Sequence, residues 1–233
     1  MSKEPILVSW SGGKDCALAL REILLDDRYA VTLLSTVTEG LNSVSMHGVH
    51  ESLIDLQARS LSLPLVKARV PLSCPGEEYG RIMGSLMRDQ YKAGVRKVVF
   101  GDIFLEDVRR YREQNLSRVD MTGVFPLWGR SSKELADTFI DDGFRAVVVC
   151  VDTRVLDAHL CGRAFDRGFL ARLPASVDPC GENGEFHSFT FDGPIFRGPI
   201  AYGTATMARR DAPDGAPVPD GRFAYCDLTE LPD

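Results

Sequence analysis

The chain has 233 residues, of which 44% are hydrophobic and 26% are charged, and its formal net charge at pH 7 is −6. A chain of this length buries a full core and forms one large α/β domain, or a larger and a smaller one. The acidic balance argues against a protein that holds nucleic acid mainly through phosphate contacts, so we expect no nucleic-acid partner.

The chain shows no sign of secretion or of membrane insertion. The first apolar run has the length of a strand and leads into a glycine loop, unlike a signal peptide, and no apolar run reaches the ~18 residues that span a bilayer. The six cysteines show no C-x-x-C spacing, which disfavours a zinc site or a disulfide framework. We therefore expect a soluble, cytoplasmic protein without a membrane partner.

Short β-branched runs alternate with amphipathic stretches over the first two thirds of the chain. This order is typical of a parallel sheet with crossover helices, because each apolar helix face covers one face of the sheet. We predict an α/β fold with a Rossmann-like parallel sheet sandwiched by helices, in a domain that covers residues 1–150. Its predicted strands are 6–10, 31–37, 64–70, 96–101 and 145–151.

The pattern changes after about residue 152. A helical stretch near 154–172 is followed by a segment rich in glycine and proline and then by short apolar runs, so we predict a smaller C-terminal α+β domain at residues 151–233. The segment 208–221 is dense in Pro, Gly and Asp and favours an exposed loop or hairpin tip. The strands predicted in this domain are 185–192, 195–202 and 222–228.

A glycine loop joins the first predicted strand to the first helix. Such a junction aims backbone N–H groups and the positive end of the helix dipole at one point, which makes an anion site. The glycines let the backbone approach a phosphate, and a hydroxyl and an ammonium group add a donor and a charge. The alternative is a tight turn in which Asp15 caps the helix. The predicted nucleotide contacts in the loop are Ser9, Ser11, Gly12, Gly13, Lys14 and Asp15.

Two common phosphate motifs are excluded by spacing. A Walker A loop needs a glycine where Val8 stands and a serine or threonine where Asp15 stands. The G-x-G-x-x-G fingerprint of dinucleotide-binding folds is absent from this loop. The loop therefore indicates another nucleotide chemistry, one in which pyrophosphate leaves.

Several segments resemble one known family. SGGKD at 11–15 resembles the pyrophosphate loop of the N-type ATP pyrophosphatases, whose Rossmann-like sheet is of the HUP type. The segments that narrow the resemblance are VSMHGVHESLIDLQARSLSLPL (44–65), GDIFLEDVRRYRE (101–113), FPLWG (125–129) and DPCGENGEFHSFTFDGPIF (178–196). Together they resemble the diphthine-ammonia ligase family over nearly the whole chain, and the residues of these motifs are similar to those of its bacterial branch.

The resemblance implies an ATP-dependent amidation. ATP would adenylate a carboxylate and ammonium would convert it to an amide, giving AMP and pyrophosphate, with Mg²⁺ as a cofactor. The carboxylate would be diphthine on elongation factor 2 in an archaeal or eukaryotic protein. In a bacterial one it would be a small molecule, for example in cobalamin-precursor salvage. The alternative is a nucleotide-binding sensor without ligase activity. A homodimer is left open.

The resemblance also assigns positions to the nucleotide. Adenine would lie over the ends of the first two strands, near Thr36 and Val37, while Lys14 and Mg²⁺ would neutralise the departing pyrophosphate. His47 follows the second strand at the same edge of the sheet and would approach the nucleotide or the substrate. A lone loop histidine is also a common structural residue.

A second cluster lies in GENGEFH at 181–187. Glu182, Glu185 and His187 would bind Mg²⁺, hold ammonium or accept a proton from the attacking ammonia, for which an imidazole is suited. If 185–189 is extended, Glu185 and His187 point to the same face. The alternative is a surface turn with solvated carboxylates.

Two further groups lie near the predicted edge of the sheet. Asp102 follows strand 96–101 and, with Asp15, would bind Mg²⁺; the competing role of Asp102 is a helix cap. One arginine of the following helix would meet a carboxylate or a phosphate, while a solvated helix face suits the others. Cys16 is either a thiol of lowered pKa at the helix start or a small buried side chain. The arginines concerned are Arg109, Arg110 and Arg112.

Overall fold

The computed structural model describes residues 3–44, 48–210 and 221–231, without the side chains of Ala205 and Thr206. The described strands are β1 (Glu4–Ser9), β2 (Tyr29–Thr38), β3 (Ser43–Val44), β4 (Leu65–Val70), β5 (Lys97–Val99), β6 (Thr122–Val124), β7 (Arg145–Asp152), β8 (Phe186–Asp192), β9 (Tyr202–Arg210) and β10 (Phe223–Glu230). The described helices are α1 (Lys14–Leu24), α2 (Glu51–Leu61), α3 (Gly76–Lys92), α4 (Glu106–Ser117), α5 (Ser132–Asp141) and the single turn α6 (Arg167–Leu170).

The first sheet is parallel in the order β4-β2-β1-β5-β6, and the short β3 adds to β2 in the antiparallel sense. The chain moves outward on one side of β1 through β2 and β4, and on the other side through β5 and β6. Ligands bind at such a reversal of strand order, outside the carboxyl ends of the strands. The glycine loop begins there, at the end of β1. The predicted Rossmann-like α/β sheet is confirmed.

The second sheet is antiparallel in the order β8-β7-β10-β9. Strand β7 pairs with β8 and β10, so the prediction that 145–151 extends the parallel sheet was wrong. The segment Ala146–Asp152 is buried on both faces of the strand. A continuous apolar run of residues is typical of any strand that is covered on both faces. It does not show which strands lie beside it or in which direction they run.

Other local predictions in the C-terminal part also differ from the structure. Residues 154–172 form only a 3₁₀ turn at Ala158–Leu160 and the short α6, because the carboxylates of Asp157 and Asp166 cap short turns instead of one long helix. The predicted strand 195–202 is irregular up to its last residue, where β9 begins. Residues 208–210 of the predicted loop belong to β9. Its residues 211–220 lie outside the described part of the chain.

The main hydrophobic core is shared by the two sheets. It joins Trp10 and Leu18 at the first sheet to Phe139 in α5 and to Phe186 and Phe189 in β8. A second cluster lies under α3 and α4, on the other face of the parallel sheet. Helices thus cover both faces of this sheet, as predicted. The division into domains at 150/151 falls inside β7 and stays a prediction.

No helix of the described ranges is long and apolar enough to cross a membrane.

Candidate active site

The glycine loop leads directly into α1. Gly13 is the N-cap of this helix and offers no side chain to its first-turn amides; the amide of Lys14 donates instead to Oγ of Ser188 in β8 at 3.2 Å. Gly12 has φ +81°, and a Cβ there would lie 2.7 Å from Oε1 of Gln57. Glycine is needed at this position both for the backbone conformation and for the close approach of a buried neighbour.

Gln57 of α2 connects the glycine loop to the second sheet. It is fully buried, accepts a hydrogen bond from Trp10 Nε1 (2.8 Å), and donates to the carbonyl oxygens of Gly12 (3.0 Å) and Thr190 (2.6 Å). This residue was not among those predicted from the sequence. The sequence nevertheless indicates that Gln57 is buried, because it lies on the face of α2 that the apolar spacing assigns to the core. The other buried residues of this face are Leu53, Ile54, Ala58 and Leu61.

Lys14 is 3% exposed and packs into the wall of the site. Its Nζ donates to Asp15 Oδ2 at 2.8 Å and to the carbonyl oxygen of Cys180, and lies 5.1 Å from the centroid of the Phe186 ring. Burial lowers the pKa of Lys14, but Asp15 and the neighbouring acidic groups outweigh this, so its pKa lies above the ordinary value. Lys14 therefore ties the glycine loop to the loop at 178–181 and stays charged.

A cavity of about 370 Å³, here called the phosphate cavity, lies between the glycine loop, the end of β5 and the start of β8. It brings together most of the predicted site residues, which come from three separate segments of the chain. Arg112 of α4 and Ser188 of β8 also line it. The predicted residues in its lining are Ser9, Ser11, Gly13, Lys14, Asp15, Asp102, Glu182 and His187.

The end of β5 comes very close to α1. A Cβ at Gly101 would lie 2.8 Å from the carbonyl carbon of Asp15, so only glycine fits there. Asp102 follows and forms an ion pair with Arg112, with 2.7 Å between Oδ2 and Nε. Asp102 and Asp15 both line the cavity. The predicted helix-cap role of Asp102 is without support, since α4 begins only at Glu106 and its N-cap is Leu105.

Glu182 connects the cavity to the loop after β5. Its Oε1 accepts hydrogen bonds from the backbone N–H groups of Ile103 (2.7 Å) and Phe104 (3.4 Å). Burial, together with the charges of Asp15 and Asp102, raises the pKa of Glu182 to about 7 against the lowering effect of the two amides. Burial also raises the pKa of Asp15, and Lys14 offsets only part of this rise.

Glu185 and His187 occupy different surroundings. Glu185 is buried and accepts hydrogen bonds from Asp178 N (3.1 Å) and from both the backbone (3.0 Å) and side-chain (2.9 Å) nitrogens of Asn183. It stands one residue before β8 and is not among the residues that line the phosphate cavity. His187 does line it. The two side chains therefore do not share this cavity, and the Glu185 carboxylate stabilises the loop that carries Glu182. The shared strand face stays a prediction, since β8 begins only at Phe186.

The three residues predicted to lie near the adenosine part of ATP have different positions in the structure. Thr36 lines a neighbouring cavity of about 410 Å³ at the end of β2, here called the adenosine cavity, which shares Ser9 and Ser11 with the phosphate cavity. Val37 is fully buried and lines neither of the two cavities within the described residues. His47 lies outside the described residues.

The thiol of Cys16 is buried, and burial raises its pKa to about 11. This is the opposite of the lowered pKa considered above and fits a small buried side chain. Among the described residues, no group of three His, Cys, Asp or Glu side chains is arranged to hold a metal alone. Oδ1 of Asp15 is nevertheless buried without a hydrogen-bond partner from that part of the chain.

The fold and the site together define a Rossmann-like α/β protein with an acidic ligand cavity where its glycine loop meets the carboxyl edge of the parallel sheet. The family model described as diphthamide synthase N-terminal domain matches residues 5–122, and the one described as diphthamide synthase C-terminal domain matches residues 131–206. The chain belongs to the diphthamide synthase family, which makes it an ATP-dependent ligase.

Curated relatives agree with this membership. The chain is 27% identical to a diphthine–ammonia ligase of Bos taurus and to one of Homo sapiens, in each case over 94% of this chain and 91% of the relative. It is 28% identical to that of Danio rerio over 80% of this chain and 82% of the relative. Membership of the bacterial branch stays a prediction.

One solved structure shows a weaker likeness. It is that of a predicted subunit of tRNA methyltransferase from Methanocaldococcus jannaschii, with a TM-score of 0.40 and 17% identity. The match covers 66% of this chain and 80% of that chain. A similarity of this size transfers no function.

Proposed function

We propose that the protein activates a carboxylate with ATP as an acyl adenylate and converts it to an amide with ammonia. The name of its relatives, diphthine–ammonia ligase, describes the joining of diphthine and ammonia by those enzymes. The observation that supports this most is the phosphate cavity. There the N-terminus of α1, an anion site whose N-cap Gly13 has no side chain, opens beside the carboxylates of Asp15, Asp102 and Glu182, which suit a metal ion or an ammonium ion.

ATP would extend across two neighbouring cavities. The pyrophosphate end would lie in the phosphate cavity against the first-turn amides of α1, and adenosine would lie in the adenosine cavity beside Thr36. Ser9 and Ser11 line both cavities, which supports a single ligand that passes between them. Val37, inside β2, would contribute through its backbone only, and a contact from His47 stays part of the proposal.

In the first step a carboxylate oxygen of the acceptor attacks the α-phosphorus, and the bond from that phosphorus to the pyrophosphate breaks. The amides of α1 stabilise the charge that leaves, and the buried ammonium of Lys14 adds a positive potential from the wall of the cavity. Asp15 and Asp102 suit Mg²⁺, which takes few protein ligands and the rest from phosphate and water. When bound, the ion would neutralise the phosphate oxygens.

In the second step ammonia attacks the acyl carbon, and AMP leaves. Ammonium must first lose a proton, and the tetrahedral adduct loses another. A carboxylate with a pKa of about 7 accepts protons at neutral pH, so Glu182 is the base that the geometry supports best. His187 lies in the same cavity as a second proton acceptor, and Glu185 serves as a positioning residue for the Glu182 loop.

The acceptor is the least defined part of the proposal. The relatives are named for diphthine, which makes diphthine on elongation factor 2 the leading substrate for an archaeal or eukaryotic protein. For a bacterial protein we propose a small carboxylate, for example one from cobalamin-precursor salvage. The nitrogen source is proposed to be free ammonium, since the relatives are named for ammonia.

The test separates the two steps. Carboxylate-dependent exchange of labelled pyrophosphate into ATP reports adenylation, and amide formation reports the whole reaction. We expect Asp102→Asn to lower both, whereas Glu182→Gln lowers amide formation far more than exchange. Asp137→Asn, in an exposed ion pair on α5, is the matched control and changes neither. Tight ATP binding without exchange for any carboxylate would contradict a ligase and indicate a nucleotide sensor.

A further inference from the structure

A third cavity, of about 280 Å³, opens between α3 and α4 and is called the α3–α4 cavity. Its walls are mainly apolar and come from both helices and from the end of β5. It adjoins the two cavities proposed for ATP and shares Thr36 and Tyr79 with the adenosine cavity. Its apolar lining includes Tyr79, Met83, Met87, Phe100, Leu116 and Val119.

Two glycines inside α3 keep this cavity open. Gly80 and Gly84 both line it, and neither has a positive φ. A Cβ at Gly80 would meet no atom within 4 Å, and one at Gly84 would meet only Nη1 of Arg88, at 3.5 Å. Neither the backbone nor the packing requires glycine, although glycine is unfavourable inside a helix. What these positions provide is space for a ligand.

The charged residues that line the cavity are all arginines, namely Arg88, Arg112 and Arg118. Arg112 is half-buried, whereas Arg88 and Arg118 are exposed, and its guanidinium lies 4.4 Å from the centroid of the Phe100 ring with Asp102 as its ion-pair partner. Asp102 takes up one edge of this guanidinium, since Nη2 also donates to Asp102 Oδ1 at 3.0 Å, and the N–H groups of the outer edge can bind a second carboxylate. The lining therefore suits a molecule with an apolar body and a negative group.

The three cavities meet at Ser9 and Arg112, which line all of them. In a displacement at the α-phosphorus, the attacking oxygen enters opposite the leaving pyrophosphate. With pyrophosphate in the phosphate cavity and adenosine at the end of β2, the α3–α4 cavity is, of these three cavities of the described residues, the one left for the attacking group.

We propose that the α3–α4 cavity binds the acceptor, with its carboxylate at Arg112 and its apolar remainder between Gly80, Gly84 and the methionines of α3. This inference rests on the proposed ligase function. It makes Arg112 a substrate-binding residue and makes the two glycines determinants of acceptor size. Adenine carries no negative charge for the arginines to bind, and the adenosine cavity has polar lining residues, Thr38 and Ser73, that do not line the α3–α4 cavity.

The experiment uses 3-phenylpropionate as the probe and methyl-¹³C-methionine NMR as the readout. Variants Met83→Leu and Met87→Leu assign the two resonances. We expect the probe to shift both resonances in protein saturated with α,β-methylene-ATP. Uncharged 3-phenylpropanol should bind about tenfold more weakly, because the charge-assisted hydrogen bonds to arginine are lost. Gly80→Leu should abolish the shifts, and Ser85→Leu, on the exposed side of the same helix, should preserve them.

Two results would overturn the inference: no probe-dependent shift at Met83 and Met87, or displacement of the probe by the nucleotide, which would place adenine in this cavity. A separate measurement tests the nucleotide binding on which the ligase proposal depends: the melting temperature of the protein with and without α,β-methylene-ATP. If the nucleotide does not stabilise the protein while the probe still shifts both methionines, the cavity is a carboxylate site and the ligase proposal fails.

Discussion

At the scale of single residues, Glu182 shows how the site sets the chemistry of one carboxyl group. Its Oε1 is held by the amides of Ile103 and Phe104, which lie far from it in the sequence, and its charge is opposed by burial and by two neighbouring carboxylates. A group with a pKa of about 7 exchanges protons near neutral pH, whereas an ordinary glutamate stays ionised.

The raised pKa predicts how stability depends on pH. A carboxyl group whose pKa is higher in the folded state binds its proton more tightly there, so its contribution falls as pH rises from about 4.5 to about 7. Between about pH 5 and about pH 8, we expect the free energy of unfolding of the wild type to fall by about 1 to 2 kcal/mol more than that of Glu182→Gln, after a discount for partial solvent exposure. Urea denaturation at both pH values measures this difference. An equal change in both proteins would show that Glu182 has an ordinary pKa.

At the scale of single elements, glycine has opposite effects in the loop before α1 and inside α3. Gly12 has positive φ and touches Gln57, whereas Gly80 has ordinary helical backbone and open space around it. The first glycine is required by the fold. The second weakens its helix.

This contrast predicts stability changes of opposite sign for one kind of substitution. Gly80→Ala should raise the free energy of unfolding by about 1 kcal/mol, because alanine favours the helix. Gly12→Ala should lower it by more than about 1 kcal/mol, because it imposes a left-handed conformation on alanine and overlaps a buried amide. Chemical denaturation of both variants beside the wild type measures the changes. A destabilised Gly80→Ala protein would mean that α3 packs more tightly than the structure shows.

At the scale of the whole molecule, the two sheets share one core. Trp10 and Leu18 from the first sheet and α1 pack in the same cluster as Phe186 and Phe189 from the second, and Gln57 and Lys14 add polar links between the sheets. Neither sheet can expose its side of this cluster without loss of buried apolar area.

We therefore expect the two sheets to unfold together. Trp10 and Trp128 report on the first sheet and on the loop after β6, and labelling of the buried thiols Cys150 and Cys161 reports on β7 and the segment beside it. In a urea titration the fluorescence and thiol-labelling midpoints should coincide, as in a two-state transition. Two separate midpoints would indicate independent domains and would support the predicted division near residue 150.

Local patterns in the sequence were sufficient to predict the parallel sheet, the glycine loop and most of the predicted residues that line the phosphate cavity. Strand and helix periods are local properties of the chain, and the carboxyl ends of parallel strands share one edge, so strand order and spacing alone predict that Asp102 lies near Asp15. The motif resemblance added Glu182 and His187, which come from a distant segment.

Tertiary structure alone decided which neighbours these residues have. The burial pattern of β7 was visible in the sequence, but its partners β8 and β10 were not, because burial does not identify the strand alongside. The burial of Lys14 and the role of Gln57 depend on hydrogen bonds between segments that are distant in sequence. The contacts by which Glu185 stabilises its loop depend on the conformation of that irregular loop. Such contacts follow from how the two sheets pack together, and no local period encodes that packing.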